Sequence, residues 1–177
     1  MKSILKICAT LILLISMNAV VQAQSNVIKI NIFSPIVRTL NMQYERKITS
    51  NGSFQLGFYY TGYSVENTKF SGLGITPEYR FYLSNMDAPQ GVYVAPFLRY
   101  QSFTLSNGNN KGTLTTMGDG LILGKQWIFK EKIALDIFLG PSYSSGDVKV
   151  TSGADSFNTN AFSGFGLRTG VCFGFAF

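Results

Sequence analysis

The sequence predicts an all-β chain: a single antiparallel up-and-down transmembrane β-barrel of about eight strands, preceded by a cleaved signal peptide. Three observations lead there. Large apolar residues alternate with small or polar ones through most of the chain, which is the period of two that a strand with one apolar face requires. Turn-forming clusters divide that pattern into segments close to the roughly 9 to 11 residues that carry a tilted strand across a bilayer. The composition is 46% hydrophobic and 14% aromatic but only 14% charged, and no apolar run after the leader approaches the length of a spanning helix, about 20 residues.

The leader, "MKSILKICATLILLISMNAVVQAQ", has two lysines, an apolar run from Ile7 to Ile15, and small residues at Val21 and Ala23. That order predicts a secretory signal over residues 1–23 and a barrel domain over 24–177. Cys8 lacks the small-residue box of a lipid attachment site. Cleavage removes Lys2 and Lys6 and no acid, so thirteen basic and nine acidic residues remain and the charge falls from +6 to +4. The remaining bases are scattered, which gives nucleic acid no footprint. Cys172 is the one cysteine left, so an internal disulfide is excluded.

The strands are expected over 27–33, 39–48, 54–63, 72–83, 91–105, 113–129, 133–143 and 164–177. In the second, Leu40, Met42 and Tyr44 oppose Asn41, Gln43 and Glu45. In the fourth, Ile75, Tyr79, Phe81 and Leu83 oppose Gly74, Thr76, Glu78, Arg80 and Tyr82, and in the seventh Ile133, Leu135, Ile137 and Leu139 oppose Ala134, Asp136, Phe138 and Gly140. The sixth, "GDGLILGKQWIF", fits either parity; an outward Lys125 would have to snorkel to the interface, and Trp127 with Phe129 suits an interfacial aromatic girdle. In the last, Leu167, Val171, Phe173, Phe175 and Phe177 oppose Gly170, Cys172, Gly174 and Ala176. Pro77, Pro96 and Pro141 fall inside predicted strands, where a residue without an N–H should mark a bulge. Connections at 49–52, 84–90 and 130–132 are compact, whereas 144–163 is expected to be a long polar loop. Short turns on one end and longer loops on the other predict periplasmic termini and an external loop.

Which face meets lipid follows from the charges. A soluble barrel of the lipocalin type also alternates, but turns its apolar face inward and solvated charges outward. Here the polar face carries glycine, serine, threonine and glutamine with a sparse, nearly balanced set of charges: Lys29, Arg80, Arg99 and Arg168 against Glu45, Glu78 and Asp136. Too few charges remain to disperse an apolar exterior in water, so the apolar face is assigned to lipid and these seven residues to a lumen charge network. Buried ions must pair, and strand position predicts two clusters, Lys29, Glu45, Arg80 and Asp136 near the turns and Glu78, Arg99 and Arg168 higher.

Six stretches, "INIFSPIVRTLNMQYERKI", "FQLGFYYTGY", "GLGITPEYRFYLS", "GVYVAPFLRYQSF", "GKQWIFKEKIALDIFLGPSY" and the aromatic C-terminus, resemble small outer-membrane β-barrel proteins of Bacteroidetes-type bacteria, a domain family of unassigned function. More distantly the architecture is similar to eight-stranded barrels of the OmpA and OmpX kind. The resemblance implies a Gram-negative outer-membrane location and no activity. It also implies that the alternating Phe173, Phe175 and Phe177 are read as a C-terminal assembly signal.

The chain has no histidine, the base that acyl-transfer and proteolytic sites most often employ near neutral pH. No ligand spacing for a metal is present, so no catalytic residue, cofactor or metal is expected and the chain is predicted not to be an enzyme. The expectation is an integral outer-membrane protein with a structural or surface-loop role and a charge-filled, largely closed lumen. The alternatives are a narrow pore or a barrel that binds a small ligand or lipid, and, further off, a lipid-modifying enzyme. Expected partners are outer-membrane lipid and the Sec export and barrel-assembly machineries, with no nucleic acid; loop 144–163 is the candidate surface for an extracellular partner, and a monomer is expected.

Overall fold

The computed structural model describes residues 25–65, 68–84, 86–107, 110–152 and 163–177. The predicted signal peptide lies outside these residues. Eight strands run through them: β1 (Asn26–Asn31), β2 (Thr39–Thr49), β3 (Gly52–Val65), β4 (Thr68–Tyr82), β5 (Gly91–Asn107), β6 (Asn110–Phe129), β7 (Ile133–Ser152) and β8 (Gly164–Ala176). Each pairs antiparallel with its neighbours in sequence, and β1 pairs with β8 to close the barrel. A 3-10 turn, Ser34–Val37, joins β1 to β2.

Period-two alternation fixes which side chains enter the lumen. Outward residues such as Met42, Phe58, Ile75, Leu123, Ile137 and Phe173 are exposed, and inward ones such as Gln43, Thr76, Ile122, Asp136 and Cys172 are buried. The exterior is therefore an apolar belt around a polar interior. β6 takes the parity that the sequence leaves open: Ile122, Gly124 and Gln126 point inward, while Leu121, Leu123 and Lys125 point outward. The Lys125 ammonium folds back to 5.0 Å from the Trp127 ring centroid.

Bulky lumen residues sit beside glycines. Tyr93 faces Gly124 and Phe97 faces Gly120 across the β5–β6 ladder, Phe138 faces Gly170, and Lys29 faces Gly174. A Cβ at Gly170 would lie 2.5 Å from the Phe138 ring, and one at Gly174 would lie 2.7 Å from Lys29 Cγ. The glycines vacate the space that these side chains fill, as a narrow barrel demands.

Three expectations are corrected. The predicted long loop 144–163 begins as strand: β7 continues to Ser152, and its serines and glycine pair with β6 as far as Lys111↔Ser152. With only Val148 and Val150 among polar residues, the stretch shows too little apolar alternation to mark a strand; positions 153–162 lie outside the described residues. Extension of β3 to Val65 and β4 back to Thr68, and of β5 to Asn107 and β6 back to Asn110, leaves two residues in each of those connections, so long loops do not distinguish that end uniformly. The prolines produce no bulge. The β4–β5 register is the same at Ile75↔Tyr100, Glu78↔Phe97 and Phe81↔Val94, so Pro77 and Pro96 delete ladder bonds without shifting it, and both lie on the outer face beside Leu98 and Asp119 in an apolar groove.

Candidate functional site: a charge-filled lumen and the chamber above it

The end of the barrel that carries the termini is filled by one connected set of side chains. Lys29 Nζ, from β1, donates to Glu45 Oε2 of β2 at 2.7 Å, to Asp136 Oδ2 of β7 at 2.9 Å and to the Gln126 amide oxygen of β6 at 2.5 Å. Arg80, from β4, donates through Nη1 to the same Asp136 oxygen at 2.9 Å and to Glu45 Oε2 at 3.3 Å, and through Nε to Glu78 Oε1 at 2.7 Å. The second oxygen of each central carboxylate is also used. Tyr82 and Ser53 hydroxyls donate to Glu45 Oε1 at 2.6 and 2.5 Å, and the Tyr93 hydroxyl donates to Asp136 Oδ1 at 2.8 Å. The Arg80 guanidinium lies 4.2 Å from the Tyr93 ring centroid. Lys29, Glu45, Arg80 and Asp136 are all 0% exposed.

Such a cluster avoids the penalty of isolated buried ions only because the charges balance and nearly every lone pair and proton has a partner. Gln126 completes it by accepting from Lys29 and donating its amide to the Pro89 carbonyl at 2.5 Å, which ties the plug to the turn that closes this end.

The two predicted clusters form one chain. Glu78 and Arg80 are two residues apart on a strand, so they share a face and bond directly. Glu78 Oε2 then accepts from Arg168 Nη1 of β8 at 2.9 Å, and the Arg168 guanidinium lies 4.2 Å from the Phe97 ring centroid. Three cations and three carboxylates are thereby matched. Arg99 stands apart: among the described residues it makes no ion pair or hydrogen bond, and its guanidinium lies 5.5 Å from the Phe97 ring centroid.

Arg99 and Arg168 line a chamber of about 300 Å³ toward the loop end, with Asn31, Asn41, Gln43 and Tyr59 among its other walls. Of the interior groups, the sequence reading names the seven charges but misses Gln126, Tyr93 and Ser53. Parity was the available signal: Gly118, Gly120 and Gly124 alternate with Asp119, Leu121 and Lys125, and glycines on one face mark the lumen. Trp127 and Phe129 lie on the outer face near the β6–β7 turn, and Phe173 and Phe175 are outward and exposed on β8. Phe177 exchanges backbone bonds with Asn26 at 3.0 and 2.9 Å. No group of three metal-ligating side chains occurs among the described residues.

No curated protein matches the chain. Among solved structures, it is similar to the N-terminal β-barrel domain of Pseudomonas aeruginosa OprF, at 19% identity and a TM-score of 0.47, with 88% of this chain and 100% of that chain covered. Over residues 9–154 the sequence matches the family described as "Protein of unknown function (DUF3575)". The protein, an eight-stranded up-and-down barrel with a charge-filled lumen, thus belongs to the DUF3575 family.

Proposed function

We infer that this protein is an integral outer-membrane barrel, closed to ion flow, whose role is structural or is exercised by what it binds at its loop end. The observation that carries the reading is the pairing of an apolar exterior with a buried, ion-paired interior. Side chains such as Leu98 (62% exposed), Leu123 (57%) and Phe175 (51%) would make an apolar patch far larger than water-soluble monomers tolerate.

The dimensions agree. On β6 the outward residues from Asp119 to Phe129 are Asp, Leu, Leu, Lys, Trp and Phe. At about 3.3 Å per residue and a tilt of about 40°, this stretch rises about 25 Å, the height of an outer-membrane apolar band. Lys125 belongs near the interface by its contact with Trp127. In this orientation the turns at 50–51, 83–90 and 130–132 and the barrel end that carries Asn26 and Phe177 are periplasmic, and Phe173, Phe175 and Phe177 are the assembly signal. Nothing in the reading calls for catalysis: the chain has no histidine, and every described acid of the interior is paired with a cation.

Fractionation of cells expressing the full chain tests the location. The protein should sediment with the outer membrane and, in detergent gels, migrate differently before and after heating. A soluble periplasmic pool with heat-independent migration would overturn the assignment.

A further inference from the structure

The barrel wall is incomplete on one side. β1 has only six residues, and its ladder to β8 ends at Asn31↔Cys172, with one further bond from the Ile32 N–H to the Val171 carbonyl. β8 nevertheless continues to Gly164, and over 164–170 it is paired with β7 alone. On the facing side the β1–β2 ladder stops at Ile30↔Met42, so the top of β2 has no strand partner on that side and meets the 3-10 turn Ser34–Val37 instead. Among the described residues this leaves a lateral seam between β8 and β2. Its β8 edge presents Leu167, 68% exposed, and the chain that turns back from β1 presents Ile36 and Val37, 77% and 65% exposed.

The seam opens into the chamber that holds the unmatched charge, because Leu167 and Thr169 line both. Lys29, Arg80 and Arg168 are balanced by Glu45, Glu78 and Asp136. Among the described residues Arg99 has no ion-pair partner of its own. The inward positions above Glu78 whose side chains are described carry no further acid, so the described residues give the chamber a net positive charge in a low-dielectric surround that strengthens attraction for an anion. The guanidinium fork suits an oxyanion, and the amides of Asn31 and Asn41 can add donors. A volume of about 300 Å³ holds an anionic group together with several waters, each of which takes about 30 Å³ in the liquid.

We propose that the chamber binds the oxyanion head, phosphate or carboxylate, of a single-chain amphiphile, with Arg99 and Arg168 holding the head and the hydrocarbon chain leaving through the seam between β8 and β2. A free anion satisfies the chamber but leaves the apolar seam unused; a neutral lipid satisfies the seam but leaves Arg99 unmatched. An anionic amphiphile satisfies both. The site rests on the membrane reading only for where the tail ends, since the head is held by the barrel itself.

The test uses the full-length protein in neutral maltoside micelles, so that its outcome does not depend on cellular location. The probe is a dodecyl phosphate bearing a photoreactive diazirine within the chain, with inorganic phosphate as competitor. Labelling is expected to concentrate at Leu167, Ile36 and Val37. It should fall about ten-fold in Arg99→Gln, the effect of losing a charge-assisted hydrogen bond, and persist in Arg99→Lys, with heat-modifiable migration confirming that both variants are folded. Inorganic phosphate should compete only in large excess. Labelling spread evenly around the belt, or seam labelling unchanged in Arg99→Gln, would overturn the proposal, as would inorganic phosphate that competes as well as the alkyl phosphate.

Discussion

Lys29 Nζ lies 2.9 Å from Asp136 Oδ2, joining β1 to β7 across the lumen of a barrel in which those two strands are not neighbours. The same carboxylate oxygen accepts from Arg80, so a single carboxylate, 107 residues from Lys29 in sequence, ties three strands together. Ladder bonds hold adjacent strands, and strand number sets the width; this cluster ties non-adjacent strands across the lumen.

Removing one member should therefore destabilise more than removing a matched pair. Lys29→Met leaves Glu45 and Asp136 undercompensated in a dry interior and should cost about 3–5 kcal/mol. Lys29→Met combined with Asp136→Leu removes one charge of each sign and should recover part of that loss. Urea unfolding in detergent micelles, followed by the heat-modifiable gel shift, provides the comparison; a double variant less stable than Lys29→Met alone would contradict it.

Glycine opposite an aromatic ring is a steric requirement of the lumen. Gly170→Ala places a Cβ 2.5 Å from Phe138 and 2.8 Å from the Asn31 amide nitrogen, so it should destabilise by about 1–3 kcal/mol through overpacking. Phe138→Leu in the same chain removes the far end of the ring and should restore much of the loss. The unfolding midpoints of the two variants decide it, and no rescue by Phe138→Leu would locate the strain elsewhere.

The β6–β7 turn carries a local cost. Lys130 and Glu131 both have positive φ, 48° and 61°, and Lys132 N–H bonds to the Phe129 carbonyl at 3.1 Å. Two successive left-handed residues at the centre of a four-residue turn closed by that bond favour Asn-Gly. Replacing Lys130-Glu131 with Asn-Gly should stabilise the barrel by about 1 kcal/mol, since the left-handed region penalises residues that bear a Cβ. An unchanged or lower unfolding midpoint would show that the two charged side chains contribute more than the backbone strain costs.

At the C-terminus, Phe177→Ala keeps both backbone bonds to Asn26 and removes only the ring. Membrane-inserted protein should fall while total synthesis stays constant, as pulse-labelling with fractionation would show. Equal insertion of variant and parent would confine Phe177 to a packing role.

Much of this was legible in the sequence because both determinants are local. Alternation assigned Lys29, Glu45, Arg80 and Asp136 to one face without any knowledge of register, and the turn clusters at 49–52, 84–90 and 130–132 set the strand ends on one side. What escaped depends on register across strands. Gln126 sits between Lys29 and Arg80 only because β6 adopts one of two parities that its own residues allow. The isolation of Arg99 follows from Glu78 being occupied by Arg80 and Arg168, a three-strand relationship that no single strand reveals. The extension of β7 to Ser152 escaped because beyond Tyr143 the strand carries only Val148 and Val150 among serine, threonine, glycine and charged residues.

The central claim is that the ionic cluster seals the barrel. Single-channel recording of the purified protein in planar bilayers tests it directly. The account predicts no steady conductance in the parent protein or in Arg99→Ala, since Arg99 lies outside the plug, and leak currents once Lys29 and Arg80 are both replaced by alanine. A steady, ion-selective current through the parent protein that Arg99→Ala abolishes would contradict the account.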